Sequence, residues 1–279
     1  PCPANIVIIV SVLSISKNLI HTGILKDPLL PVNMILLFLK RYCKMALETK
    51  REENGMVIRQ YSKIALYFSE NESEAVKLAI TNLRRDLIRT LDCSVEEIAC
   101  ESNSEDSRND RKLCIRVGSI SHLEAFGSQL EACDLEKMKN IEGDYRKEAF
   151  LIQEKNGELW IIGSDRRGTI YSVYDFCEWL GVSPWYFFAD VPVKKRKEAV
   201  IPDGYIKVDY PSVEYRGIFI NDEEELEHWV WRYMGEETIG VKTYEKIFEL
   251  LLRLKLNYIW PAMHVNSFNL KKENGELAN

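Results

Sequence analysis

Apolar and polar positions change period repeatedly along this chain. Ser62 to Phe68 carries Ile64, Leu66, Tyr67 and Phe68 and reads as a strand. From about Glu72 to Thr90, Ala75, Val76, Ala79, Ile80, Leu83 and Leu87 recur every three or four residues, the spacing that gathers one buried stripe on a helix. Asn71, with Glu74 three residues on, resembles a capping box. Cys100 to Arg111 is polar and acidic and reads as a mobile loop. Leu113 to Val117 predicts the next strand, ended by Gly118, and His122 to Leu130 a short helix. Ala149 to Gln153 and Leu159 to Ile162 predict two strands joined through Asn156-Gly157, a hairpin signal because both residues tolerate positive φ. Gly168 to Leu180 is amphipathic, with Tyr171, Tyr174 and Cys177 on one side. Gly181 then supplies the left-handed cap and Pro184 blocks continuation.

After Pro202-Asp203-Gly204 the pattern restarts. Tyr215 to Ile220 reads as a strand ending in Asn221-Asp222-Glu223, followed by an aromatic, acidic loop from Glu224 to Gly240. Thr243 to Lys255 predicts a helix with Tyr244, Ile247, Phe248, Leu251 and Leu254 on one face. Asn257 to Trp260 predicts a second strand, ending in Pro261-Ala262-Met263-His264. The interleaved elements of 56–200 predict an α/β accessory domain, a mixed sheet with helices, and 201–279 predicts a β–loop–α–β unit. In parallel α/β folds, sites are built at the C-terminal strand ends.

Composition narrows the function classes. With 29% charged and 46% hydrophobic residues, the chain has the balance of a globular protein rather than a disordered one. The 43 Asp and Glu outnumber the 37 Lys and Arg, a net charge of -6 that argues against a general nucleic-acid binder. The basic run Lys194-Lys195-Arg196-Lys197 reads as a solvated linker. Seven cysteines without a C-x-x-C pair read as scattered thiols. Four histidines without a close ligand pair give no ground for a metal, and no cofactor is expected.

Residues 1–55 read as an unassigned leader or upstream sequence. Their apolar runs, Ile6 to Val12 and Met34 to Leu39, are shorter than the roughly 18–20 residues a membrane span needs, so no membrane role is expected. A reading frame starting at Met45 or Met56 makes the cytoplasm the default compartment. At the other end, Asn274-Gly275 reads as a turn, and the last element reads as cut short.

Candidate chemistry gathers after the two restarted strands. Asn221, Asp222 and Glu223 can bind hydroxyls or do acid/base work. They also read as the start of a solvated acidic loop, since Glu224, Glu225 and Glu227 continue the charge. Trp260 offers an indole face to a pyranose and His264 a hydrogen bond or a proton. Each also reads as ordinary packing, a core Trp and a hydrogen-bonded loop His. Trp229 and Trp231, with His228, Arg232 and Tyr233, read as a binding wall or a surface for a neighbouring domain. Ser183-Pro184-Trp185-Tyr186-Phe187-Phe188 reads as interdomain packing.

Several stretches, in order, resemble glycoside hydrolase family 115, the xylan α-1,2-glucuronidases. They are Gly168-Thr169-Ile170-Tyr171, Gly181 to Tyr186, Ala189 to Arg196, Tyr215-Arg216-Gly217-Ile218-Phe219-Ile220-Asn221-Asp222-Glu223, Lys242 to Glu245, and Asn257-Tyr258-Ile259-Trp260-Pro261-Ala262-Met263-His264. The run covers about Tyr145 to Phe268. The resemblance implies an accessory α/β domain followed by the first two β/α units of a truncated (β/α)8 TIM barrel. It implies metal-free, inverting removal of glucuronic acid or its 4-O-methyl ether from glucuronoxylan or uronic-acid-bearing xylo-oligosaccharides. It puts Asp222 in the active site with Asn221 and Glu223 beside it, and Trp260, His264 and Trp229 at the sugar. The family commonly has a Trp soon after the acidic pair, whereas here Glu224-Glu225-Leu226-Glu227 intervenes. It also implies a missing C-terminal part of the same polypeptide and a homodimer of the full-length protein.

A barrel of this kind needs about 250 residues, and Tyr215 to Asn279 suffices for two strands. An inverting enzyme holds its acid and base roughly 6.5–9.5 Å apart across the sugar, and in the family these lie on later strands. The chain alone is therefore expected to be an inactive N-terminal fragment. A non-catalytic carbohydrate-binding or interaction module is the alternative, and a hexosaminidase-like barrel with a similar accessory domain a third.

Overall fold

The computed structural model describes residues 55–100, 112–129, 132–221, 224–263 and 268–279. Ten strands are present among them: β1 (Met56–Arg59), β2 (Lys63–Ser69), β3 (Ser94–Cys100), β4 (Leu113–Ser119), β5 (Phe150–Lys155), β6 (Glu158–Gly163), β7 (Glu198–Ile201), β8 (Ile206–Asp209), β9 (Gly217–Phe219) and β10 (Tyr258–Trp260). The helices are α1 (Glu74–Leu91), α2 (Ala132–Leu135), α3 (Arg166–Trp179), α4 (Glu224–Trp229), α5 (Val241–Arg253) and α6 (Lys272–Ala278). Six strands form one mixed sheet in the order β3-β2-β4-β6-β5-β8. β3, β2, β4 and β6 run parallel, while β5 runs antiparallel to both β6 and β8. β1 and β7 make a separate antiparallel pair.

Both faces of the sheet are covered, and the period-two alternation of its strands sorts side chains between two cores. Ile64, Leu66, Ile115, Val117, Leu159, Ile161, Phe150 and Ile152 face α1 and α3. Their neighbours Ala65, Tyr67, Trp160, Ile162 and Leu151 face the other way, onto the 3₁₀ segment Ile120–Gln129 with Phe126. Arg116 crosses this second core within reach of the Tyr67 and Trp160 rings and pairs with Glu158 at 2.9 Å.

Local signals account for most boundaries. α1 is capped by Ser73, whose hydroxyl accepts from the Val76 N–H, so Ser73 and not Asn71 opens this helix. The β5–β6 turn is the two-residue Asn156-Gly157, at φ 56° and 79°, the signs a type I′ hairpin requires. Asp165 caps α3 by accepting from the Gly168 N–H, and Gly181 ends it at φ 98°. A Cβ on Gly168 would fall on the Ala149 carbonyl oxygen, so the close approach of helix to strand requires glycine there. The 3₁₀ segment replaces the short helix expected from His122. Of the expected loop over Cys100 to Arg111, Cys100 instead ends β3 and the rest lies outside the described residues. Cys93 and Cys177 are free thiols, and burial pushes Cys93 up to about 11 and Cys177 well above its ordinary value.

The second part is a β–α–β unit. β9 and β10 pair in parallel with Ile218 opposite Ile259 and Trp260 opposite Phe219. α5 connects them and buries Tyr244, Ile247 and Leu251 with Val230, Ile239 and Ala262. Two expectations are corrected here. The acidic loop from Glu224 is helical, because its three glutamates sit in the first turn of α4, where the helix dipole favours them. Val230–Met234 continues it as a π turn that Gly235 ends at φ 65°. Asn274-Gly275 is no turn but the middle of α6, where the buried Asn274 amide donates to the Phe268 carbonyl.

The unit is fastened to the sheet domain by buried ions. Arg253 of α5 is 3% exposed and donates to Asp86 of α1 at 2.7 Å and to Glu249 at 2.9 Å. Arg85 reaches the same Glu249 at 2.6 Å, and the Tyr186 hydroxyl donates to it at 3.0 Å. The Arg253 guanidinium also lies over the rings of Tyr174 and Tyr186, 4.6 and 5.0 Å from their centroids. Burial pushes the Glu249 carboxyl up, but Arg253 and Arg85 outweigh it and hold the group below the ordinary glutamate value.

Replacing Arg253 by Ala leaves Asp86, which is fully buried, with Arg85 as its remaining cation. Urea unfolding should show a loss of about 3 kcal/mol, and Arg253→Met combined with Asp86→Leu should cost less than Arg253→Ala alone. A carboxyl depressed in the folded state stabilises above its unfolded pKa, near 4.3, and loses that contribution as pH falls through the lower folded value. Thermal unfolding followed downward from about pH 7 should therefore steepen below about pH 4, and Glu249→Gln should flatten that limb.

Candidate functional site at the strand ends

The faces of β9 and β10 differ. Ile218 and Ile259 turn towards α5, whereas Phe219 and Trp260 turn away from it, 57% and 50% exposed. Their rings meet edge to face with centroids 5.6 Å apart. The strands can lie this close because residue 217 is glycine: a Cβ there would fall on the Tyr258 carbonyl oxygen. Past the strands, the Ile220 N–H donates to the Trp260 carbonyl at 2.8 Å, which carries the pairing to the start of the next segment. Asn221 follows on the surface, and Met263 is exposed beyond the buried Ala262.

Asn221 and Trp260 are thus brought to neighbouring strand ends of one parallel unit. Asp222, Glu223 and His264, read as their companions, lie outside the described residues. Trp229 sits elsewhere in the aromatic packing. Its ring is 5.4 Å from Phe188, 6.1 Å from Phe187 and 5.6 Å from Tyr233, so the Phe187-Phe188 segment docks α4 against the sheet domain, as its composition suggested. Trp231 and Tyr233 are the more exposed members of that group.

The opposite ends of β9 and β10 are held by a cluster that sequence reading did not single out. Arg216, immediately before β9, donates to Glu148 at 2.6 Å, to the Lys255 carbonyl at 2.9 Å, and to the carbonyls of Val213 and Glu214. Asn257, immediately before β10, donates to Glu148 at 3.0 Å and accepts from the Arg216 N–H. The Tyr171 hydroxyl reaches the Leu256 carbonyl, and burial together with Glu148 pushes it up to about 12. A second cation, Lys255, bonds Asp175 at 2.5 Å from a left-handed backbone at φ 58°. Arg216 and Asn257 both lie in the stretches that carried the family resemblance, but nothing in their spacing showed that they share one carboxylate.

Chemically, the strand ends offer a half-exposed indole beside a phenyl ring, an amide, and an adjoining segment with two carboxyl groups in its sequence. That set suits a ligand with apolar faces and many hydroxyls. Among the described residues no three His, Cys, Asp or Glu come together as a metal site, and no helix is long and apolar enough to cross a membrane.

Residues 208–279 match the family described as glycosyl hydrolase family 115, the segment that contains β9, α5 and β10. No match to a curated protein was found. Among solved structures, a family 115 4-O-methyl-α-glucuronidase with specificity for decorated arabinogalactans is 35% identical, with a TM-score of 0.66. The match covers 80% of this chain but 28% of that protein, so the chain spans under a third of its relative's length. A family 138 enzyme targeting pectin rhamnogalacturonan II is 14% identical (TM-score 0.44, 77% of this chain and 28% of that one), and a Flavobacterium johnsoniae chitobiase is 12% identical (TM-score 0.41, 74% and 24%). The family match and the 35% identical structure both support the family 115 resemblance read from the sequence.

Gly217→Ala should separate β9 from β10. The expected result is a loss of about 1–3 kcal/mol in chemical unfolding, with the Trp260 emission shifting to the red. Unchanged stability would show that the strands tolerate a wider spacing.

Proposed function

We propose that this chain is the N-terminal portion of a glycoside hydrolase of family 115 type, which removes glucuronic acid or its 4-O-methyl ether from a polysaccharide by inverting hydrolysis. The observation that supports this most is the family match over 208–279, which contains a parallel β–α–β unit carrying aromatic and amide groups at its strand ends. In this reading 56–200 is the accessory domain, with β8, expected in the barrel part, joined to its sheet instead. β9 and β10 are the first two strands of a (β/α)8 barrel, and their inward face is the one bearing Phe219 and Trp260. Trp260 stacks on the sugar. Asn221 and Glu223 bind its hydroxyls, Asp222 takes part in the chemistry, and His264 helps line the pocket, whereas Trp229, packed on Phe187 and Phe188, is left out of it. Full catalysis needs an acid and a base held apart across the sugar. A two-strand segment does not enclose a substrate between them, so the chain alone is inactive. The substrate is glucuronoxylan or uronic-acid-bearing xylo-oligosaccharides, without a cofactor.

The test is release of 4-O-methylglucuronic acid from glucuronoxylan and, in parallel, from a glucuronidated arabinogalactan. This chain should release none, and any release would overturn the fragment reading. A longer polypeptide that completes the barrel should release the acid from xylan, and Asp222→Asn should lower the rate at least about a hundredfold. Release from the arabinogalactan alone would overturn the xylan assignment. Binding without cleavage by the longer protein would favour a carbohydrate-binding module.

A further inference from the structure

A cavity of about 850 Å³ opens at the other end of the β–α–β unit, between the start of α3 and the segment 210–215 that leads into β9. Its rim is basic. The pairing of β5 and β6 extends past the strands, because the Ser164 N–H donates to the Ala149 carbonyl and the Glu148 N–H to the Asp165 carboxylate. That places Lys147 and Arg166 on the same rim, both exposed. Neither has an ion-pair partner among the described residues; Arg166 has one long contact, 3.5 Å, to the Asn279 carbonyl.

The acidic groups of the cavity are mostly engaged. Glu148 is shared among Arg216, Arg167 and Asn257. Asp165 accepts from the N–H groups of Glu148 and Gly168. Glu214 is the remaining carboxylate on the wall, against the two uncommitted cations. Two tyrosines line the same space. Tyr210 carries Arg146 over its ring at 4.3 Å, while Tyr215 is 71% exposed. An uncommitted pair of cations beside an open aromatic face suits a ligand that joins a carboxylate to a ring with an apolar face.

We infer that this cavity binds a carboxylate-bearing saccharide, its acid group held by Lys147 and Arg166 and a pyranose face laid on Tyr215. It is a second site, separate from the strand ends that carry Trp260. The choice of a saccharide rests on the glycosidase reading above; the preference for an acid rests on the cations.

Calorimetric titration of this chain at low salt with a glucuronosyl-xylotriose, neutral xylotriose, acetate and a glutamate-rich peptide tests the inference. The acidic saccharide should bind at least about ten-fold tighter than the neutral one, and added salt should weaken it. Lys147→Ala with Arg166→Ala should bring it down to the neutral level, Tyr215→Ala should weaken both saccharides, and Trp260→Ala should leave this binding unchanged. Equal affinity for the neutral sugar, binding of acetate or the peptide as tight as the saccharide, or loss of binding in Trp260→Ala but not in the double variant would each overturn the inference. The two readings separate in the variants. Failure of the glycosidase reading alone leaves the Lys147 and Arg166 dependence intact in a longer protein that releases no uronic acid. Failure of the cavity alone leaves hydrolysis and Trp260-dependent binding intact.

Discussion

A guanidinium out of contact with water must be matched by carboxylates or it destabilises the fold, and Arg253 is in that position. Its partners come from two parts of the chain: Glu249 lies one turn away on α5, but Asp86 belongs to α1 on the sheet domain. The charge is therefore neutral only when α5 is seated on α1 and α3. Apolar contacts such as those of Phe187 and Phe188 with Trp229 tolerate sliding, whereas the fork of Arg253 fixes one seating. The angle at which β9 and β10 leave the sheet domain follows from this constraint.

Arg216 then does for the strands what Arg253 does for the helix. It ties the beginning of β9 to the Lys255 carbonyl at the end of α5 and to Glu148 at the start of β5. The strands are held firmly at one end and present Trp260 and Asn221 at the other. Such an arrangement suits a site built on strand ends, because the ordered half of each strand positions residues in the half that must stay accessible. Asp222, Glu223 and His264 follow these ends in sequence.

Elements whose signal is local were legible from sequence. The Asn156-Gly157 hairpin, the stripes of α1 and α5, the Gly181 stop and the β–α–β restart rest on residues near one another in the chain. β3 was not seen because Glu96 and Glu97 interrupt any apolar alternation, and an edge strand exposed along much of its length does not need one. β8 was hidden for a similar reason: it is four half-buried residues at the other edge. The place of Trp260 at a strand end was legible too. What holds the β–α–β unit in place was not, since Arg253 and Asp86 are separated by 167 positions and only the fold brings them together. Trp229 shows the converse, an aromatic residue that looked available in sequence and whose ring is half-buried against Phe187 and Phe188.

The antiparallel pairing of β1 with β7 sets Met56 opposite Ile201 and Arg59 opposite Glu198. The sheet domain thus begins and nearly ends at one point on its surface, with only β8 added afterwards. A module whose two ends are zipped side by side makes little demand on what surrounds it, since the flanking polypeptide needs to be interrupted at a single place. Entry and exit side by side leave the far side of the sheet free for a second joint, which the Arg253 and Arg216 clusters make with α5, β9 and β10.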